Sequence, residues 1–165
     1  MDETQVANLQ HLSQRRWEVR LCAPPIKLPE VVAGRYPWLP QSVQEFIEAT
    51  RLVVAPDAKS WFVTSGDILG TNASAYCWNE WELQSLGAAD GDAKWQAEIR
   101  QFWDQHFPVI LSVKSGYAYF AVRQSDLAIV AGEEPEYEEC TQFASSFDEL
   151  LSAVASASPA LARWI

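Results

Sequence analysis

The sequence predicts an α+β domain: a central antiparallel or mixed sheet flanked by helices. Three observations carry this. Residues 107–131 alternate apolar side chains across two short polar turns. Stripes of apolar residues at helical spacing precede and follow that region. The chain, at 165 residues, suits one domain and needs no metal or disulfide to support its core.

The strands follow from alternation. Val109, Leu111 and Val113 fall on one side of an extended segment, with Ile110 and Ser112 on the other. Lys114-Ser115-Gly116 makes a turn in which Gly116 takes positive φ without steric cost. Tyr117, Tyr119 and Ala121 share one face of the next strand; Ala118, Phe120 and Val122 share the other. Gln124-Ser125-Asp126 forms a second turn, and Leu127 to Ala131 is an apolar run closed by Gly132. Two short connections in succession imply an antiparallel meander. Both faces are largely apolar, so each needs a cover.

The covering helices are read from their stripes. Residues 4–16 are expected as a first helix, with Thr4 as its N-cap. Trp17 to Leu21 alternates with period two and reads either as a short strand or as the end of that helix. A connection with Pro24, Pro25, Pro29 and Pro37 follows, pinned by Tyr36 and Trp38. Pro40 starts a helix whose stripe is Val43, Phe46 and Ile47, ending near Thr50. Trp61-Phe62-Val63 suggests a strand stopped by Ser65-Gly66-Asp67, and Ala75 to Trp78 a strand or loop. Asn79 caps a short helix containing Trp81 and Leu83. Gly87 to Asp92 is a polar loop. From Asp92, Trp95, Ile99, Phe102, Trp103 and His106 form the stripe of an amphipathic helix leading into Phe107-Pro108. Ser146 and Glu149 make a capping-box pattern before the stripe Phe147, Leu150, Leu151 and Val154. The organisation expected is a single domain. Residues 1–35 form an N-terminal helix and proline-rich connection within it, 36–156 its body, and 157–165 a C-terminal tail.

Composition narrows function. The net charge of −10 argues against nucleic acid as a direct ligand, because phosphate binding needs clustered cations. It suits solubility or a basic protein partner. No apolar run is long enough to span a membrane, and the polar N-terminus lacks a leader's apolar segment. Cys22, Cys77 and Cys140 are odd in number and widely spaced, which fits reduced thiols in a cytoplasmic protein. His11 and His106, the two histidines, stand in no nucleophile–base pattern, so the expectation is a non-enzyme without catalytic residues, cofactor or metal. Asp67, Asp90 and Asp92 lack the spacing of a calcium loop.

The run Glu133-Glu134-Pro135-Glu136-Tyr137-Glu138-Glu139 stands apart. Crowded carboxylates repel one another, which has two explanations: a charged sheet margin that resists aggregation, or a docking strip with Tyr137 as its aromatic anchor. The candidate partner-binding residues are Glu133, Glu134, Glu136, Tyr137, Glu138 and Glu139, with Asp90 and Asp92 beside them.

The motifs also fall in a known order. Leu39-Pro40 leads into a helix bearing Phe46; Phe107-Pro108 opens the central strands; Gly116-Tyr117-Ala118-Tyr119 forms the hairpin region; and an acidic segment precedes Ala144-Ser145-Ser146-Phe147-Asp148-Glu149-Leu150-Leu151. Across residues 36–155 this resembles the SUKH superfamily, which groups yeast cell-wall-synthesis regulators of the Smi/Knr type with bacterial immunity proteins. Thr50-Arg51-Leu52 and Ser115-Gly116-Tyr117 depart from turns common in that family. The resemblance implies an α+β SUKH-like fold and non-enzymatic binding of a cognate toxin, often a basic nuclease. Its alternatives are a regulatory scaffold of the cell-wall type or an uncharacterised small enzyme.

Overall fold

The computed structural model describes all residues from Met1 to Ile165. Seven strands form one antiparallel sheet in chain order: β1 (Glu18–Leu21), β2 (Thr50–Val54), β3 (Ser60–Phe62), β4 (His106–Ser112), β5 (Ala118–Arg123), β6 (Ile129–Glu133) and β7 (Cys140–Ala144). The expected meander is present as β4–β5–β6, with Gly116 at φ 109° in its first turn.

Cross-strand partners share a face, so the register sorts the core into two layers. Val53, Phe62, Ile110, Phe120 and Ala131 pair successively across one face. Val54, Trp61, Leu111, Tyr119 and Gly132 do so across the other.

Three helices and the C-terminus serve the first face: α1 (Glu3–Gln14), α3 (Gln41–Ala49) and α7 (Phe147–Ala155). Phe46 meets Phe62 and Phe147 at ring-centroid distances of 5.3 and 5.1 Å. The amide of Gln5, a residue buried in α1, donates to Ser42 O and Asp148 Oδ1, which ties α1 to both neighbours. Residues 157–165 include a 3₁₀ turn over Pro159–Leu161 and bring Trp164 edge-on to Phe120 at 5.6 Å.

The second face is covered by α5 (Glu80–Ala88) and α6 (Ala93–Asp104), but only over the later strands. Trp81 donates its indole N–H to Ala118 O at 2.9 Å, and Trp103 packs on Tyr119 at 4.9 Å. The short α2 (Glu30–Arg35) fastens to both helices. Arg35 grips Glu82 with two hydrogen bonds of 2.7 Å and reaches Asp104 with a third of the same length.

Several local expectations are settled or corrected. Asp2, not Thr4, caps α1, by accepting from Gln5 N. Residues 18–21 are a strand. Asn79 makes no side-chain cap bond, and Ala75–Trp78 is loop. Ser65-Gly66-Asp67 opens a single helical turn, α4 (Ser65–Ile68), rather than only stopping a strand. Leu127 is a turn residue at φ 60°, so β6 starts at Ile129. Trp95 belongs by spacing to the buried stripe of α6, yet it is 45% exposed. Ile99 and Trp103 meet the core, whereas the first turn of α6 does not.

Candidate interaction surface

The acidic run forms the connection from β6 to β7, and its backbone is fixed from beneath. Gly132 is central to this. A Cβ there would lie 2.5 Å from the Tyr119 hydroxyl and 2.6 Å from the ring. Glycine therefore lets the Tyr119 side chain cross β6 and donate to Tyr137 O at 2.5 Å. The Tyr137 ring lies parallel to the Trp81 indole, and its hydroxyl donates to Gln84 Oε1 at 3.1 Å. The turn is thus bound to both the sheet and α5.

This overturns the reading of Tyr137 as a docking anchor. It is 5% exposed and belongs to the core. Burial, reinforced by the charge of Glu134, pushes its phenol well above the ordinary range. Its polar neighbours in sequence hide that burial; the ring turns inward because Trp81 offers a flat apolar partner.

The other candidates divide by what they touch. Glu133 pairs with Arg163 at 2.8 Å. Glu134 continues the β5–β6 ladder: its N–H donates to Tyr117 O, and its carboxylate accepts from Tyr117 N at 2.9 Å. Glu138 is half-buried, with Oε1 enclosed and unpartnered. Asp92 caps α6 by accepting from Trp95 N at 3.0 Å, where a carboxylate also suits the helix dipole. Glu136, Glu139 and Asp90 are exposed and make no side-chain hydrogen bond or ion pair. No lysine or arginine occurs between Arg123 and Arg163 in the sequence.

Two exposed apolar side chains on α5 and α6 escape the sequence reading. Leu83 on α5 is 46% exposed, and Trp95 stands open at the start of α6. Leu83 carries a usable signal: Trp81 and Ser85 are buried two positions either side, so Leu83 must point away from them. Helix α5 joins the two acidic groups, because Gln84 touches Tyr137 and Ala89, just past its end, precedes Asp90. Glu136 and Glu139 on the turn, Asp90 after α5, Leu83 on α5 and Trp95 on α6 are each open to solvent.

His106 is 7% exposed; its Nδ1 donates to Phe102 O at 2.8 Å, and its ring stacks on Phe102 at 4.0 Å. Burial holds its pKa below the ordinary value, so the imidazole is neutral instead of a positive charge at the end of α6. Cys22, Cys77 and Cys140 are free thiols, and burial raises the pKa of Cys140. No group of three or more His, Cys, Asp or Glu side chains is placed to hold a metal ion. No helix is long and apolar enough to cross a membrane.

Comparison with family models, curated proteins and solved structures finds no match to the chain.

Proposed function

We propose that this chain is a non-enzymatic protein-binding domain of the immunity type, which neutralises a cognate toxin by occupying its basic surface. The observation that carries the reading is the union of the 134–139 turn with the α5–α6 hairpin. Glu136, Glu139 and Asp90 have no internal partner, and Leu83 on α5 and Trp95 on α6 lie open to solvent. Binding surfaces combine a few apolar anchors with a polar margin, and opposite charge accelerates encounter. A nuclease fits as partner because the ground that holds its phosphate substrate is electropositive. The resemblance to the SUKH superfamily in motif order supports the same reading. The separation of His11, exposed on α1, from His106, buried between Phe102 and the sheet, supports a non-catalytic role.

The test is co-expression with the product of the adjacent gene. A complex that weakens as salt rises, together with rescue of growth from that product's toxicity, supports the proposal. Failure to bind the neighbour, or full protection by Glu136→Lys/Glu139→Lys/Asp90→Lys, counts against it. A complex formed without any toxicity favours the regulatory-scaffold alternative.

A further inference from the structure

The second face of the sheet is not covered throughout. Helices α5 and α6 reach Tyr117, just before β5, and Tyr119 on β5, but over β1–β3 a groove of about 520 Å³ remains. Its floor is apolar. Leu52 and Val54 are half-buried on β2, and Trp61 on β3 is the cross-strand partner of Val54. Its wall is the 71–76 loop. Tyr76 closes one end, with its ring within 18° of parallel to Trp61.

The loop is anchored and does not simply lie across the gap. Asn72 donates to Arg51 O at 3.0 Å and to Asp67 Oδ1 at 2.9 Å. Gly66 allows this closeness: a Cβ there would stand 2.2 Å from Arg51 O and 2.5 Å from the Asn72 side chain. The groove is therefore held open by specific bonds.

Its charges are placed to receive an anion. Arg20 is the cross-strand partner of Leu52, and Arg51 precedes Leu52 in the chain; both line the groove. Arg51 commits its carbonyl to Thr64 and Asn72, while its guanidinium pairs with no carboxylate. The two acids of the lining are already engaged. Glu18 pairs with Arg20, and Asp67 accepts from Thr64 and Asn72.

We infer that the groove binds a small aromatic carboxylate, with its ring against Leu52, Val54 and Tyr76 and its carboxylate on Arg51, the lining arginine that no acid occupies. The volume lies in the range of small-molecule sites, about 300–1,000 Å³, in which apolar walls supply burial and a few polar groups fix orientation. Arginine suits the second task because its planar fork matches a carboxylate. This site lies apart from the acidic surface and does not depend on the immunity reading.

The test is a titration of isotope-labelled protein with 2-naphthoate and, separately, with its neutral analogue 2-naphthamide, followed by amide NMR shifts. Saturable shifts are expected at Leu52, Val54 and residues 71–76, with the amide binding about tenfold more weakly. Arg51→Gln, on an exposed side chain, retains the parent's dispersed spectrum but loses the preference for the carboxylate. Tyr76→Ala weakens both ligands. Equal affinity for the two ligands, an unchanged preference in Arg51→Gln, or no saturable shift around the groove overturns the inference.

Discussion

The Trp81 indole and the Tyr137 ring lie within 5° of parallel, with centroids 5.9 Å apart. The pair joins α5 to the turn that holds the exposed glutamates. Tyr137 thus acts on the acidic surface from behind, and its loss is expected to register as instability. Tyr137→Ala should cost about 3–5 kcal/mol of unfolding free energy, and Tyr137→Phe, which gives up only the bond to Gln84, about 1 kcal/mol. Urea denaturation checks both. An alanine variant as stable as the parent contradicts the packing described.

Gly132 and Tyr119 make a second dependence. Alanine at 132 forces its methyl into a ring that cannot retreat without breaking the bond to Tyr137 O. Gly132→Ala is expected to lose about 1–3 kcal/mol through overpacking. In the double variant with Tyr119→Ala the clash disappears, so the two costs should not add. A double-mutant cycle by thermal or chemical unfolding measures the difference.

Arg35 joins α2, α5 and α6 through Glu82 and Asp104. The Glu82 side chain is 6% exposed and that of Arg35 is 25% exposed, so much of the pair is screened from water. Removing the arginine strands a buried carboxylate, for which Arg35→Ala should cost about 3 kcal/mol. Arg35→Met with Glu82→Leu, which removes both charges and retains apolar bulk, should recover most of it. Equal stability of Arg35→Ala and the parent would show that the pair contributes nothing net.

His106 sets a pH dependence. Burial depresses its pKa below the ordinary 6.5, so the unfolded chain binds the proton more readily than the folded one. The resulting contribution is fully present above the unfolded pKa. It declines as pH falls below 6.5, and the decline ends below the folded pKa. His106→Gln should remove this slope from a plot of stability against pH. The Asp67 carboxyl, whose pKa burial raises, acts with opposite sign in the acidic carboxylate range. Stability measured from mildly acidic to neutral pH in parent and His106→Gln isolates the histidine.

The sheet and helices were legible where periodicity was clean. Val43, Phe46 and Ile47 marked α3, and Phe147, Leu150, Leu151 and Val154 marked α7; all are buried. Gly116 and the alternation around it marked β4 and β5. Strand β2 escaped because it follows α3 with no separator: Thr50 closes the helix and begins the strand, with its hydroxyl donating to Phe46 O. Strand β7 escaped because Cys140–Ala144 is a partly exposed edge whose burial alternates weakly. At the acidic surface, composition indicated charge but not which carboxylates are free. That division depends on distant partners, Arg163 for Glu133 and Tyr117 for Glu134. The inward turn of Tyr137 depends on Trp81, more than fifty residues earlier in sequence.

The acidic surface is tested most directly by the association rate with the adjacent gene's product as salt is varied. The parent is expected to associate faster at low salt by about 10–10³-fold than at salt sufficient to screen the surface. Glu136→Lys/Glu139→Lys should slow low-salt association and flatten the dependence without changing the unfolding midpoint. The same rate and salt slope in parent and variant would contradict the account.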